Sequence, residues 1–395
     1  MTETDPKRSP WPRAGRLSRI RPFLVMALLA RTRALEAAGR SIVHMEIGEP
    51  DFTTPEPIIA AGRRALAEGR THYTPAAGLP RLREAIAAHY HARYGLALDP
   101  ARILVTPGGS GALLLVMAAL VEPGREVLLA DPGYPCNRNF VELFGGRARG
   151  VPVGPEDRFQ LRAERLEAVL AAETAAVMVA TPSNPTGTLL SGAELAALHA
   201  RCVAARTALV VDEIYHGLSY LDRPLPTAAA LDPAPFVVNS FSKYYGMTGW
   251  RLGWLVAPPD YVEALDNLAQ NLFLAAPTPA QWAALAAFAP ETQAELERRR
   301  ARFRRRRDFL VPALRELGFG IPCEPEGAFY VYADCSGLAD DSLTLAHELL
   351  ERAGVAVTPG LDFGRHAPER YLRFAYTTSL AQLEAGVERM RRFLS

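Results

Sequence analysis

The fold is decided by the stretch Asn239-Ser-Phe-Ser-Lys-Tyr-Tyr-Gly-Met-Thr-Gly-Trp-Arg251, whose single lysine is Lys243. Of the 44 Lys and Arg residues in the chain, only Lys243 and Lys7 are lysines. Because Arg supplies positive charge almost everywhere else, a lysine here indicates chemistry: a buried amine can lose its proton and attack a carbonyl, which a guanidinium cannot do. The alternative is a lysine at the surface or in an ion pair, where most lysines lie.

Length and composition are those of an ordinary soluble globular protein. The 395 residues are 49% hydrophobic and carry a net charge of +1, which predicts two domains and gives no reason to expect binding to nucleic acid or to anionic membranes. The four cysteines show neither close pairing nor metal-ligand spacing, so we expect reduced thiols, no metal and a cytoplasmic location. The first seventeen residues are polar and predict a flexible arm, without the apolar segment of a signal peptide.

Short apolar runs alternate with helical segments from residue 100 onward, the βαβ pattern of a mostly parallel sheet covered by helices on both faces. The predicted strands are Ile103–Thr106, Glu126–Ala130, Arg149–Val153, Ala175–Ala180, Ala208–Asp212 and Phe236–Ser240. Helices are predicted at Gly111–Val121, Ala163–Ala172 and Ser191–Ala204. The fold class is therefore α/β. Outside this region, strands are predicted at Ile42–Ile47 and Val355–Thr358, and an amphipathic helix from Phe23 to about Ala38. The Arg-rich run 295–307 could suggest a nucleic-acid patch, but a long solvated helix that links the two domains is the better interpretation.

Polar residues follow the ends of five of these strands. They are Gly108-Gly-Ser-Gly111, Tyr134, Asn184, Asp212 and Lys243. Because ligands of such sheets bind beyond the carboxyl ends of the strands, we expect these residues to meet in one site.

The residue types at this edge suit a phosphorylated ligand with a ring nitrogen. Gly109 and Ser110 open a helix, where free N–H groups attract a phosphate, and Ser240 and Arg251 can close around the same group. Asp212 ends a very apolar run, where a carboxylate needs a partner such as a protonated ring nitrogen. The alternative for Asp212 is a structural carboxylate that caps a loop. Tyr215, three residues further on, can bring a phenol to the site.

Seven motifs in this order resemble the class I/II aminotransferases of fold type I, a family that depends on pyridoxal phosphate. The resemblance covers the chain from Ile20 to its C-terminus. The motifs are Ile47-Gly-Glu-Pro-Asp-Phe, Tyr73-Thr-Pro-Ala-Ala-Gly-Leu-Pro, Val105-Thr-Pro-Gly-Gly-Ser, Asn184-Pro-Thr-Gly, Val211-Asp-Glu-Ile-Tyr, Ser240-Phe-Ser-Lys and Gly249-Trp-Arg-Leu-Gly.

The resemblance implies a role for each matching residue. It implies that Lys243 is the Schiff-base lysine, that Asp212 is the partner of the pyridine nitrogen, and that Tyr215 and Asn184 bond the phenolic oxygen. The remaining cofactor residues are Tyr134, which stacks on the ring, and Gly109, Ser110, Ser240 and Arg251, which form the phosphate cup. Tyr73 is similar to a tyrosine that reaches the phosphate of the neighbouring subunit, which implies a homodimer with shared active sites.

For the substrate, the resemblance implies that Arg373 clamps the α-carboxylate, with a backbone contact from Gly48 and with Asn184 nearby. The implied reaction moves the α-amino group of an amino acid to a 2-oxo acid by a ping-pong mechanism. Positions 271–276 and Ser110 lack the Arg or Lys with which relatives read a second carboxylate, which argues against aspartate or glutamate. Ile20 and Ile47, with some of residues 272–274, are expected to line an apolar side-chain pocket, or else to be plain core.

The resemblance also implies a large cofactor-binding domain, residues 45–290, and a smaller α+β domain, residues 18–44 with 291–395, which closes over the substrate. Two other functions stay open. One is a lyase that uses the same cofactor for β-elimination or decarboxylation. The other is a non-enzymatic regulator, which normally needs an added DNA-binding domain that the N-terminal arm is too short to hold.

Overall fold

A computed structural model describes residues 11–20 and 24–395 of the chain. The helices are α1 Leu24–Ala37, α2 Glu56–Ala67, α3 Pro80–Tyr94, α4 Gly108–Leu120, α5 Cys136–Leu143, α6 Ala163–Glu167, α7 Gly192–Ala204, α8 Val262–Leu272, α9 Thr278–Ala284, α10 Pro290–Glu316, α11 Ser342–Glu348 and α12 Leu380–Leu394. The strands are β1 Val43–His44, β2 Ile103–Thr106, β3 Glu126–Asp131, β4 Arg147–Pro152, β5 Thr174–Ala180, β6 Ala208–Asp212, β7 Phe236–Ser240, β8 Gly253–Val256, β9 Tyr330–Asp334, β10 Val355–Ala356, β11 Thr358–Pro359 and β12 Tyr371–Ala375.

The central sheet has seven strands in the order β2-β8-β7-β6-β5-β3-β4. Its strands are buried on both faces: along β5, Val177 and Val179 belong to one hydrophobic core, whereas Ala176 and Met178 belong to the other. This explains why the strands read as continuous apolar runs, as is typical of parallel sheets covered by helices. The α/β fold and all six predicted strands are confirmed.

Strand β8 is the one strand of this sheet that the sequence analysis did not predict. It runs antiparallel to both of its neighbours, β2 and β7. Its four residues are too few to show the alternation of apolar and polar residues that identifies a strand. The strand forms because the chain turns back after Lys243 and pairs with β7. Close packing also requires Gly253, since a Cβ there would lie 2.7 Å from the backbone of Gly108 and Gly109.

Two small sheets lie outside the central one. Strands β11, β12 and β9 form an antiparallel sheet, and β1 pairs in parallel with β10. The predicted strand Val355–Thr358 is therefore divided between two sheets. The predicted strand Ile42–Ile47 is reduced to β1, because the carbonyls that follow accept hydrogen bonds from side chains: Arg373 donates to Glu46, Thr377 to Ile47 and Lys243 to Gly48.

The Arg-rich run 298–307 lies on α10, a helix of 27 residues. Its arginines pair with carboxylates of the same chain, including Glu295, Glu297, Asp222 and Asp51. Arg306 is buried, so this face of α10 is not solvated throughout as the charge pattern suggested. Because six of the eight arginines in the run are already paired with carboxylates, the run gives no support for nucleic-acid binding.

The N-terminal segment is only partly described. Of the predicted flexible arm, residues 1–10, including Lys7, lie outside the described residues, as does Phe23, where the sequence predicted the start of the first helix. The part that follows contacts α5, since Arg16 donates to the carbonyl of Leu143 and Arg19 pairs with Glu142 at 2.6 Å. No helix among the described residues has both the length and the apolar character needed to cross a membrane.

Candidate active site

A cavity of about 480 Å³ opens at the carboxyl edge of the central sheet. Twelve of the residues that the sequence predicted for the site line this cavity. They are Ile47, Gly48, Gly109, Ser110, Tyr134, Asn184, Asp212, Tyr215, Ser240, Lys243, Arg251 and Arg373. The fold thus brings together side chains that are separated by more than 300 positions in the sequence.

Lys243 follows β7 and lies at the bottom of the cavity. Its Nζ donates a hydrogen bond of 2.7 Å to the carbonyl of Gly48. Burial, which the nearby Arg373 and Arg251 reinforce and Glu49 and Asp212 oppose, lowers the pKa of Lys243 to about 8. The amine therefore loses its proton at a much lower pH than an exposed lysine does, as a nucleophile or a general base requires.

Gly48 allows a close approach of backbone to side chain at this point. A Cβ on Gly48 would overlap the hydroxyl of Tyr330. The Tyr330 hydroxyl in turn lies 3.0 Å from that of Tyr215. The glycine thus lets the carbonyl that holds Lys243 and the two phenols share one wall of the cavity.

Asp212 is the last residue of β6 and is almost fully buried. Its Oδ1 accepts a hydrogen bond of 3.1 Å from the backbone N–H of Ile214. Burial raises the pKa of Asp212 to about 6, although this hydrogen bond and the charge of Lys243 act in the opposite direction. A cationic group placed in the cavity against this carboxylate would offset the cost of its burial.

Arg373, on β12, is buried against the cavity. It donates to Asn184 Oδ1 at 2.9 Å and to the carbonyl of Glu46. The rings of Tyr330 and Phe363 flank the guanidinium, with centroids 4.4 and 4.7 Å from Cζ. Within residues 11–20 and 24–395 the buried Nε has no hydrogen-bond partner. A buried guanidinium with a donor to spare is well suited to bind a carboxylate.

The opposite end of the cavity suits a phosphate. Gly109 and Ser110 lie in the first turn of α4, which has no side-chain cap, so the helix N-terminus offers its N–H groups. Arg251 lies beside them, and a Cβ on Gly108 would come within 2.5 Å of its Nη2. Arg251 also has a φ of +52°, a strained conformation for a residue with a side chain and one that is often found at functional sites.

Tyr134 and Ser240 complete the set of predicted residues in the cavity. The hydroxyl of Tyr134 accepts a hydrogen bond of 3.2 Å from Cys136 Sγ. The hydroxyl of Ser240 donates to the carbonyl of Leu252 at 3.2 Å and accepts from the backbone N–H of Ser242.

Some of the predicted residues do not line the cavity. Tyr73 is 82% exposed and is not part of the cavity lining. Ile20 is not among the lining residues either, and Leu272 and Leu274 are exposed at the surface. Of the predicted apolar side-chain pocket, only Ile47 lines the cavity.

The wall that was expected from Ile20 is formed instead by α1. Among the lining residues that the sequence did not predict are four of α1, the two glutamates close to Gly48 and four residues brought in by other elements. They are Val25, Met26, Leu29, Arg33, Glu46, Glu49, Thr248, Tyr330, Asp362 and Phe363. The sequence showed that α1 was amphipathic, but no local signal indicated which element its inner face would contact.

The chain was compared with known protein families and proteins. The family model for "Aminotransferase class I and II" matches residues 40–390. The chain is 38% identical to the valine–pyruvate aminotransferase of Mycobacterium tuberculosis, over 94% of this chain and 96% of that protein. It is 36% identical to the aspartate/prephenate aminotransferase of Thermus thermophilus, over 96% and 98% of the respective chains.

Solved structures give the same result. An aminotransferase from Mycobacterium tuberculosis superposes with a TM-score of 0.93 at 38% identity, covering 97% of this chain and 99% of that one. The aspartate aminotransferase of Thermus thermophilus with maleate gives a TM-score of 0.91 at 36% identity, with the same coverage.

Proposed function

This chain belongs to the class I and II aminotransferase family and is an aminotransferase, and on that premise we propose that it works with pyridoxal phosphate bound in the cavity of Lys243. The observation that carries the proposal is the pairing, in one cavity, of a lysine with a lowered pKa and a buried carboxylate with a raised pKa.

The residues of the cavity fit this cofactor at each of its functional groups. The first turn of α4 and Arg251 match the phosphate in charge and in hydrogen-bond donors. Asp212 accepts a hydrogen bond from Ile214 and forms no ion pair with the residues that the structure describes, so a protonated ring nitrogen would give it a cationic partner. Tyr215 and the amide of Asn184 can donate to the phenolic oxygen, and Lys243 Nζ can hold the aldehyde carbon covalently. Tyr134 offers its ring for stacking.

When bound, the cofactor supplies an aldehyde that condenses with amines and a ring that accepts electrons. Asp212 keeps the ring nitrogen protonated. Arg373 binds the substrate α-carboxylate, oriented by its hydrogen bond to Asn184. Lys243, with its lowered pKa, would act as the general base that removes the proton from the substrate Cα. A first 2-oxo acid leaves before a second one enters, so we expect ping-pong kinetics.

The experiment is a half-reaction with single amino acids. Protein loaded with pyridoxal phosphate is mixed with one amino acid, without an acceptor, and the absorbance of the cofactor and the released acid are followed. Stoichiometric release of the matching 2-oxo acid supports the proposal, whereas continued release of ammonia and pyruvate would instead assign the protein as a lyase. Borohydride reduction followed by peptide mapping should place the label on Lys243, and a label on Lys7 would refute the assignment.

We propose that the protein forms a homodimer with shared active sites. Support comes from Tyr73, which is exposed and does not line the cavity of its own chain. A hybrid of a Tyr73→Phe chain and a Lys243→Ala chain would then contain one site with both native residues. We expect the mixed sample to bind the cofactor more tightly than the Tyr73→Phe homodimer, and equal affinity would exclude the shared site.

We also propose the division into a large domain, residues 45–290, and a small domain, residues 18–44 with 291–395. Pairing of β1 with β10 and packing of Leu28 and Leu35 against Leu350 and Ala356 support it. Because Arg373 belongs to the small domain and Lys243 to the large one, substrate should draw the two together. Small-angle scattering with and without substrate tests this, and an unchanged radius of gyration would count against closure.

A cytoplasmic location is proposed on the ground that none of the four cysteines is in a disulfide. Fractionation of the source cells would test it, and recovery outside the cytoplasm would overturn it.

A further inference from the structure

One face of α1 forms a wall of the active-site cavity. The cavity-lining residues of this helix are Val25, Met26, Leu29 and Arg33. Their spacing of one, three and four positions places them along a single side of the helix. The wall therefore presents three apolar side chains followed by one guanidinium.

The turn of α1 that carries Arg33 is anchored beside the contacts of Arg373. Glu36, three residues after Arg33 and thus its neighbour on the helix surface, has its Oε1 3.0 Å from His44 Nε2. His44 Nδ1 lies 2.7 Å from Glu46 Oε1, and the carbonyl of Glu46 accepts a hydrogen bond from Arg373. Two side-chain contacts and one backbone contact thus link the turn of Arg33 to the guanidinium of Arg373.

Arg33 differs from the other cations of the cavity. Lys243, Arg251 and Arg373 each donate a hydrogen bond within the protein. Arg33 makes no hydrogen bond or ion pair with any residue of the described chain, and its side chain is exposed. This guanidinium is therefore available to a ligand.

The carboxylates of the cavity wall are held by other groups. Glu46 is paired with His44, and Glu49 accepts from Thr248. Asp362 accepts from the backbone N–H groups at the start of α1. None of these three acids pairs with Arg33, so an anionic group that enters the cavity beside Arg33 does not displace an existing ion pair.

We propose that Arg33 binds the distal carboxylate of a dicarboxylic amino acid or 2-oxo acid, while Val25, Met26 and Leu29 contact its methylene groups. The inference rests on the proposed function, in which Arg373 holds the α-carboxylate. It changes the conclusion drawn from positions 110 and 271–276. Those positions lack a cation, but α1 supplies one from within the same chain, and the same apolar wall also accepts uncharged side chains.

The test compares Arg33→Gln with Arg31→Gln. Arg31 lies on the same helix but forms a two-point ion pair with Glu351 and does not line the cavity. It is therefore a matched control for the loss of one charge from α1. Both variants, loaded with the cofactor, are studied in half-reactions with glutamate and with norleucine, whose side chain has similar length and no charge.

Arg33→Gln should lower kcat/KM for glutamate by about tenfold, and at most about a hundredfold, because one charge-assisted hydrogen bond is lost. The value for norleucine should stay unchanged, and Arg31→Gln should leave both values unchanged. Added salt should weaken the reaction of the unmodified enzyme with glutamate, but not that with norleucine.

An equal loss for glutamate and norleucine in Arg33→Gln, or the same loss in Arg31→Gln, would overturn the proposal. So would an unmodified enzyme that converts norleucine but not glutamate, although the proposed function would then stand. If the unmodified enzyme converted no amino acid at all, the proposed function itself would have failed.

Discussion

Replacing Asp212 by Asn should stabilise the cofactor-free protein and at the same time disable it. Asp212 is almost fully buried, accepts one backbone hydrogen bond and has a pKa raised from 3.8 to about 6. The difference corresponds to about 3 kcal/mol, the cost of keeping this carboxylate charged in the folded state. An asparagine has nearly the same shape but no charge, so it avoids the free-energy cost of burying one.

The effect has a defined dependence on pH. Because the pKa of Asp212 is higher in the folded than in the unfolded state, the folded protein binds the extra proton, and stability falls as the pH rises from about 4 through 6. The free energy of unfolding of Asp212→Asn should therefore exceed that of the unmodified protein by roughly 3 kcal/mol at pH 8 and by roughly half of that at pH 5.

Urea denaturation of both proteins without cofactor, at pH 5 and at pH 8, measures the difference. The substitution of the exposed Asp260 by Asn is the control for the loss of one carboxylate and should give only a small difference in stability. Added pyridoxal phosphate should make the unmodified protein the more stable of the two, since the charged Asp212 then gains a cationic partner that an asparagine cannot pair with.

A difference of the opposite sign, or one that stays constant between pH 5 and pH 8, would refute the reasoning. It would mean that the negative charge of Asp212 is already compensated when the cofactor is absent. Equal stabilisation of both proteins by the cofactor would refute the assignment of Asp212 to the ring nitrogen.

Three further predictions concern other residues of the site. Lys243→Ala should slow the half-reaction by at least about 10²- to 10⁴-fold, measured by stopped-flow absorbance, because the general base at Cα is lost; a loss below tenfold would contradict its role. Arg373→Lys should lower kcat/KM for amino acids by about ten- to a hundredfold through loss of two-point carboxylate binding, with no further loss for an amine that lacks the α-carboxylate. The hydrogen bond to Glu46 is the main reason why the pKa of His44 is raised to about 9. His44 should therefore stabilise the protein fully below pH 6.5 and lose this contribution as the pH rises through 9. The difference in melting temperature between the unmodified protein and His44→Gln should decrease over that interval, and a constant difference would exclude an ion pair between protonated His44 and Glu46.

The sequence was informative wherever the position of a residue follows from its neighbours in the chain. A buried strand appears as a short apolar run, and the residue that follows it is placed at the carboxyl edge of the sheet by the parallel topology alone. That is why Asp212, Asn184 and Lys243 could be assigned to one site before any distance was known. A lysine in a chain that otherwise uses arginine needed no structure to be noticed.

Other features of the site have no local signal. Tyr330 lines the cavity because β9 pairs with β12, and α1 becomes its wall because Asp362, more than 300 positions away, accepts the N–H groups of Leu24 and Val25. The predicted strand Val355–Thr358 divides between two sheets because β1 and β12 approach it from different sides.

The sequence by itself thus determined the family, six of the seven strands of the central sheet and most of the polar residues that line the cavity at its carboxyl edge, since the apolar runs and the polar residues after each strand carry that information. Only the tertiary structure decided which further residues complete the cavity wall. That surface is assembled from α1, Glu46, Asp362 and Phe363, which meet through contacts between distant segments, and no pattern within one segment encodes such a meeting.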